Sequence, residues 1–381
     1  MKAGIDRCSH CVVPLSLPTL QTDDRGVCQF CRRIEDLTSS PQFDSRKREK
    51  EFSEIVERVK KLGKPYDCLI SLSGGKDSTY ALYVCDKIHN LKCLCVTFDN
   101  GFLSDYAKNN IKSAIEATRA DHVYYTANIN LMKDLYRLFL TKCGNFCSVC
   151  MRGIEVANQI AVEKFKPPLV ISGVGKKVGY IGIFPELFEG GDVRFFRNVV
   201  RDEPIGQYVR AFCSPWTGRQ ISKGLREALR LVRLHNTLVG RYTYHLRLYD
   251  YLTPDFATIK ATIEKEMGWK CPDDNFEHMD CQLHDIPPYI HSIKFPGLTP
   301  TALYNSGLIR LGHMKRDEAL RIEEKNLLQP KKPRGLREFL EEIDLNEDEF
   351  HSCVADWRRM GTFRDRWNES FRAFYRRHYR D

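Results

Sequence analysis

At 381 residues, with 42% hydrophobic and 29% charged side chains, the chain has the composition of an ordinary globular protein and the length of two or three domains. It holds no run of about 18 apolar residues, which excludes a transmembrane helix, and its opening, MKAGIDRCSHC, lacks the apolar core of a signal peptide, so the expected location is the cytoplasm. The net charge of +9 is moderate, whereas 15 cysteines in a reducing compartment call for a role other than disulfides.

The first segment, 1–43, reads as a zinc-ribbon-like module. Cys8-x2-Cys11 and, sixteen residues on, Cys28-x2-Cys31 have the spacing of a structural Zn²⁺ site with four thiolates. His10, between the first two, reads as a bystander. Residues 44–62 predict a charged helix ending at Gly63. From there the chain alternates. YDCLISL predicts a strand, 77–89 a helix, LKCLCVTFD a strand, 104–119 a helix, ADHVYYTAN a strand, 131–142 and 152–165 helices, and PPLVISG a fourth strand. Strands without polar alternation, separated by helices of this length, predict an α/β fold with a doubly wound parallel sheet over 44–215. Cys68, Cys85, Cys93 and Cys95 fall among Leu, Ile, Val and Tyr and read as core. Residues 216–381 predict a mainly helical region, with helices at 218–238, 254–267, 300–328 and 335–347 and a break at QPKKPRG. The tail from Trp357 carries eight Arg against three acidic residues. Its aromatic residues Phe363, Trp367, Phe371 and Phe374 make one helical stripe, which suits docking on the protein itself as well as gripping RNA.

Between the first strand and its helix stands SLSGGKDS. It lacks the Walker A spacing, yet two glycines at a strand end allow a tight turn, and the helix start behind them adds free N–H groups and a positive dipole end. Ser73, Gly74, Gly75 and Ser78 are candidate phosphate contacts, and Lys76 supplies charge. Asp77, in the first helical turn, suits Mg²⁺ positioning or capping. SGGKDS matches the SGGxDS signature of the PP-loop ATP pyrophosphatase superfamily, which this stretch resembles. The resemblance implies an adenine-nucleotide alpha hydrolase-like fold and cleavage of ATP between its α- and β-phosphates, with adenylation of an acceptor oxygen. Lys76 and Asp77 become catalytic candidates. Asp99 and Asn100, in VTFDNG, become candidate adenosine contacts. Gly173, in ISGVGKK at the end of strand four, occupies another crevice position.

Two further cysteine groups bear on what attacks next. Cys147-x2-Cys150 follows strand three, and Cys213 comes 63 residues later. This pattern, with the CSVCMRG text, resembles PP-loop tRNA thiolation enzymes, which hold a [4Fe–4S] cluster on three cysteines. A cluster, a second metal site, persulfide-carrying catalytic cysteines and plain core thiols are the alternatives. The stretch 268–285 crowds Glu277, His278, Asp280, Cys281 and His284 together, which reads as a site of undefined chemistry; Cys271 and Cys281 are spaced undiagnostically.

The order of these features goes further. CSHCVVP, GVCQFC, the SGGKDS loop, VTFDNG, a Cys-x2-Cys, the GW at 268–269 and SGLIRLGHMKRDEAL at 306–320 together resemble the N-acetyl sugar amidotransferase family of surface-polysaccharide and flagellar sugar biosynthesis, over most of 1–325. The resemblance implies a small-molecule sugar substrate whose acetamido oxygen is adenylated, and ammonia from a separate partner protein as the displacing nucleophile. Cys213 and the 271–284 cluster depart from that pattern and lean toward sulfur, with a sulfur-donating protein as partner and a tRNA base or a small molecule as acceptor. A non-catalytic nucleic-acid-binding protein, built on the zinc module and basic tail, is a third reading that leaves the loop without a purpose. The oligomeric state is not legible.

Overall fold

The computed structural model describes residues 5–17, 20–39, 45–174, 196, 199–200, 243–252, 256–271, 280–328 and 331–355. Cys213, Glu277, His278, the predicted helix at 218–238 and the basic tail from Trp357 lie outside the described residues.

Among the described residues, five parallel strands form one sheet in the order β3-β2-β1-β4-β5. They are β1 (Cys68–Ser71), β2 (Cys93–Asp99), β3 (Asp121–Thr126), β4 (Leu169–Ser172) and β5 (Tyr244–Arg247). In chain order the helices are α1 (Gln29–Ser39), α2 (Ser45–Lys60), α3 (Lys76–Tyr83), α4 (Asp105–Glu116), α5 (Ile129–Cys143), α6 (Cys147–Phe165), α7 (Phe256–Met267), α8 (Ile286–Lys294), α9 (Ala302–Arg310), α10 (Arg316–Leu328), α11 (Leu336–Glu342) and α12 (Glu347–Ala355). A single π-helical turn, Val84–Ile88, continues α3.

The side-chain period of two along each strand divides the core into two layers. Cys68 and Ile70 of β1, Cys93 and Cys95 of β2 and Leu169 and Ile171 of β4 point to one face and join Phe52, Ala81, Ile111 and Ile263 from α2, α3, α4 and α7. Leu69, Leu94, Val96 and Val170 point to the other and join Leu135, Val149, Ile290, Phe339 and Phe350 from α5, α6, α8, α11 and α12. The sheet is therefore covered on both faces, as the uninterrupted apolar strands predict. All four cysteines assigned to the core are buried there, and Cys68 stands opposite Cys93 in register, with its Sγ 3.6 Å from that of Cys93.

Several boundaries differ from expectation. β5 lies in a stretch read as helical; it is four residues long, and only one of them is buried. The predicted 300–328 helix is two, because Gly312 takes a left-handed φ of +76° and ends α9. Likewise 335–347 divides into α11 and the start of α12. α6 begins five residues before the predicted helix, which puts Cys147 and Cys150 in its first turn.

The N-terminal module is seated on the C-terminal region. Its core of Cys8, Cys11, Val13, Leu17, Cys28, Phe30 and Cys31 is continuous with Phe295, Leu298 and Ala302. Among the described residues no helix is long and apolar enough to cross a membrane.

Candidate active site

β1 lies between β2 and β4, so the chain departs from β1 and β4 toward opposite faces and opens a crevice at their carboxyl ends. The SLSGGKDS loop leaves β1 at that crevice. Gly74 has φ +80°, and a Cβ on it would lie 2.5 Å from the carbonyl oxygen of Ala107 in α4, so both conformation and space require glycine. The Gly74 carbonyl accepts hydrogen bonds from Trp269 Nε1 (2.9 Å) and Asn110 Nδ2 (3.3 Å). Asn110 also exchanges two bonds of 2.8 Å with the backbone of Lys270. Two buried side chains from distant parts of the chain thus hold the loop's first peptide in place.

The serines close the turn. Ser78 Oγ donates to the Gly75 carbonyl (3.1 Å) and accepts from the Ser73 N–H (3.2 Å), and the two serine hydroxyls meet at 3.2 Å. α3 begins at Lys76, so the N–H groups of its first turn face the crevice end without helical partners, where an anion is favoured. Lys76 Nζ pairs with Asp77 Oδ2 at 2.9 Å, and Tyr249 OH donates to Asp77 Oδ1 at 2.9 Å. Tyr249, just after β5, is buried, and its ring stacks on Tyr80. Gly173 abuts this corner: a Cβ on it would fall 2.4 Å from the Asp77 carbonyl oxygen. Both charged candidates and Gly173 therefore come together at one flank of the loop. A carboxylate at a helix start beside this glycine loop is of the donor type that suits a hard divalent cation such as Mg²⁺.

Asp99 ends β2 and Asn100 follows it. Asp99 Oδ1 accepts from the Gly101 N–H at 2.9 Å. Asn100 turns inward: its oxygen accepts from the Phe102 N–H at 2.9 Å, and its Nδ2 lies 3.4 Å from Cys150 Sγ and 3.6 Å from Cys281 Sγ. Tyr136 OH meets Cys150 Sγ at 3.0 Å. Cys147 sits three residues before Cys150 on α6, and burial, seconded by Cys150, holds the Tyr136 hydroxyl well above its ordinary range. Burial raises the Cys150 thiol above its ordinary range, against the hydrogen bonds from Tyr136 and Asn100. Burial, seconded by Cys150, pushes Cys281 up to about 12.

Cys281 reaches this place because 280–282 runs beside 102–104. Leu103 and Cys281 form an antiparallel bridge, the Gln282 N–H donates to the Phe102 carbonyl at 2.9 Å, and the Ser104 N–H to the Asp280 carbonyl at 3.3 Å. Cys271 and His284 are also described, and no metal-ligating group forms around them among the described residues.

The second cysteine site is the N-terminal one. The ligand atoms of Cys8, Cys11, Cys28 and Cys31 all lie within 4.8 Å of one another, and all four are buried. Sulfur–sulfur distances of 3.9 Å for Cys11–Cys28 and 3.5 Å for Cys28–Cys31 fit tetrahedral thiolate coordination of a metal such as Zn²⁺. Shared hydrogen bonds hold Cys8 and Cys11 below the ordinary thiol range, Cys11 at about 7, and drive Cys28 and Cys31 above it. Arg310 Nη1 lies 3.7 Å from Cys11 Sγ, and Arg316 donates to the carbonyls of Cys8 (3.0 Å) and Cys11 (3.2 Å).

Sequence reasoning missed Tyr249, Asn110 and Tyr136, and valued Trp269 only as part of a dipeptide. Nothing local marks them. Tyr249 reaches Asp77 only because β5 pairs with β4, and Asn110 and Trp269 matter through one carbonyl far from both in sequence.

Comparison with known proteins adds three findings. Residues 274–375 match the family described as LPS biosynthesis protein WbpG-like, C-terminal domain. The uncharacterized protein MJ1599 of Methanocaldococcus jannaschii is 29% identical over 151 residues, 38% of this chain and 50% of that protein. The chain thus spans about half the length of this curated relative. Among solved structures, the U34-tRNA thiolase NcsA from Methanococcus maripaludis with its [4Fe-4S] cluster aligns at a TM-score of 0.32 and 14% identity, over 72% of this chain and 79% of that one.

Proposed function

We propose that this chain is an ATP-dependent PP-loop enzyme that adenylates the acetamido oxygen of an N-acetyl sugar, releases pyrophosphate, and lets ammonia displace AMP to leave an acetamidino group. The observation that carries the reading is the SLSGGKDS loop at the mouth of the β1/β4 crevice, with Lys76 and Asp77 at the first turn of α3. The match of residues 274–375 to a lipopolysaccharide-biosynthesis family supports a sugar acceptor.

The residues divide the work. The N–H groups at the start of α3 receive the departing phosphates, and Lys76, turned from Asp77 to the phosphates, offsets charge as the bond to the α-phosphorus breaks. The acetamido oxygen attacks that phosphorus, and pyrophosphate leaves with the electron pair of the broken P–O bond. Ammonia then adds to the acetamido carbon, and AMP departs with the oxygen. Asp77 would hold Mg²⁺, which supplies charge neutralisation on the phosphates when bound. Tyr249 fixes the rotamer of Asp77. Cys8, Cys11, Cys28 and Cys31 would hold Zn²⁺ in a structural role. A separate protein supplies the ammonia, and the cytoplasm is the proposed site of action.

A second reading is supported by one observation: Cys150 and Cys281 both lie within 3.6 Å of Asn100 Nδ2, with Tyr136 OH 3.0 Å from Cys150 Sγ and Cys147 three residues before Cys150 on α6. In it, sulfur displaces AMP from a tRNA base or a small molecule, and Cys281 takes the part that spacing assigned to Cys213. These thiols would hold an iron–sulfur cluster, which supplies a binding point for the transferred sulfur when bound.

Anaerobically purified protein, analysed for iron and zinc and then incubated with ATP, a nucleotide-linked N-acetyl sugar and ammonium, tests both. Sugar-dependent release of AMP that requires ammonium, from a protein holding zinc and no iron, is expected. Lys76→Ala and Asp77→Ala are expected to abolish pyrophosphate release with unchanged circular dichroism. Turnover in either variant contradicts the loop assignment, and iron with sulfide-dependent AMP release selects the sulfur reading.

A further inference from the structure

We propose that Asp280 is a ligand of the divalent cation that accompanies ATP, so that a carboxylate from the far end of the chain enters the phosphate site. The inference rests on the adenylation reading above. Asp280 faces the loop: a methyl group placed on Gly75 would lie 3.6 Å from its Oδ2 and 3.8 Å from its Cγ. Its backbone is held on the C-terminal side, by the Ser104 N–H on the Asp280 carbonyl and by the Leu103–Cys281 bridge that follows it. The carboxylate is therefore delivered to a fixed place beside the peptide that meets phosphate.

A bare carboxylate at that place opposes the binding of a triphosphate. Lys76, the loop's own cation, pairs with Asp77 on the flank that carries Gly173 and Tyr249. No cation is paired with the Asp280 side chain among the described residues. A hard divalent ion between carboxylate and phosphate oxygens resolves the conflict, since such ions take oxygen ligands from carboxylates and substrate phosphates together. The neighbouring residue, Cys281, faces the opposite way, toward Asn100. One short segment thus supplies the phosphate end with a carboxylate and the thiol pocket with a sulfur.

The rival account is that the carboxylate occupies the anion position itself and competes with phosphate. Mn²⁺ titrations of the full chain, followed by electron paramagnetic resonance with a non-hydrolysable ATP analogue, separate the two. Asp280→Asn is expected to weaken Mn²⁺ binding in the nucleotide complex by roughly tenfold or more, with Asp280→Glu recovering part of it. Nucleotide binding in the presence of EDTA should not weaken. Unchanged Mn²⁺ affinity, or tighter nucleotide binding by Asp280→Asn with Mn²⁺ present, overturns the proposal. Should that variant fail to fold, the wild type suffices: Fe²⁺ with ascorbate, peroxide and the analogue should cleave the backbone near residue 280, and cleavage confined to the 75–77 region overturns it. A wild type that binds no analogue at all, with or without Mn²⁺, sinks the adenylation reading together with this one.

Discussion

The carboxamide of Asn100 reaches two sulfurs at once and thereby joins α6 to the segment after residue 280. Neither sulfur is poised as a free nucleophile in the metal-free chain, because burial holds Cys281 near 12 and Cys150 above the ordinary range. The sign of the pH effect follows from the reactive species being the thiolate. At pH 8 a thiol of ordinary pKa is about a quarter ionised, whereas one near 12 is ionised about one part in ten thousand. Iodoacetamide should therefore label Cys281 of the metal-free native protein about a thousandfold more slowly than in urea. The native rate should climb about tenfold per pH unit up to pH 11 while the unfolded rate levels off above 9. Mass spectrometry of labelled peptides reads both, and equal native and unfolded rates at pH 8 would refute the burial argument. At this scale the sequence was informative where chemistry is local. SGGKDS stands out in the sequence because small residues, a cation and a helix start follow one another there, and the turn and helix start are where the structure has them. Cys281 was visible as part of a dense polar and thiol stretch, and Cys150 and Asn100 as candidates elsewhere, but that the three adjoin was not, since only the pairing of 280–282 with 102–104 joins them.

The segment from β1 through α3 is the element that makes the site, and Gly74 is where it is least tolerant. Gly74→Ala would strain a φ of +80° and drive a methyl into the Ala107 backbone of α4. The expected cost is about 1–3 kcal/mol of stability, seen as a lowered melting temperature, with loss of ATP-analogue binding by calorimetry. Retained binding at wild-type affinity would show that the loop does not need its position against α4. Strands β1, β2 and β4 were legible because burial on both faces leaves uninterrupted apolar runs. β5 was not, because an edge strand of four residues, one of them buried, carries no such run. The break between α9 and α10 turns on a single glycine, Gly312, which helical periodicity passes over.

Across the whole molecule, the four-cysteine module and the C-terminal helices make one body. Arg316 binds the carbonyls of Cys8 and Cys11, Arg310 approaches Cys11 Sγ, and Phe295, Leu298 and Ala302 complete the module's core. Four thiols packed within 4.8 Å repel one another once ionised, so a metal bound among them would hold this junction together. Stripping the metal with a strong chelator is expected to lower the melting temperature by several degrees and to open 295–316 to protease, with the sheet still protected from hydrogen exchange. Unchanged cleavage of 295–316 would mean that the module's apolar core alone secures it. Spacing picked out the four cysteines that the structure brings together, but not that their module rests on helices some 300 residues later. The pairing of 102–104 with 280–282 has a parallel consequence for how the protein is made. Contacts so distant along the chain form late in folding, after local strands and helices are in place. A ribosome that has emitted only the strands through β4 has exposed the complete SLSGGKDS loop without Trp269 to hold it or Asp280 to face it. Under the proposed function, the half-synthesised polypeptide is thus expected to be inert toward ATP, and activity to appear only when the last third of the chain arrives.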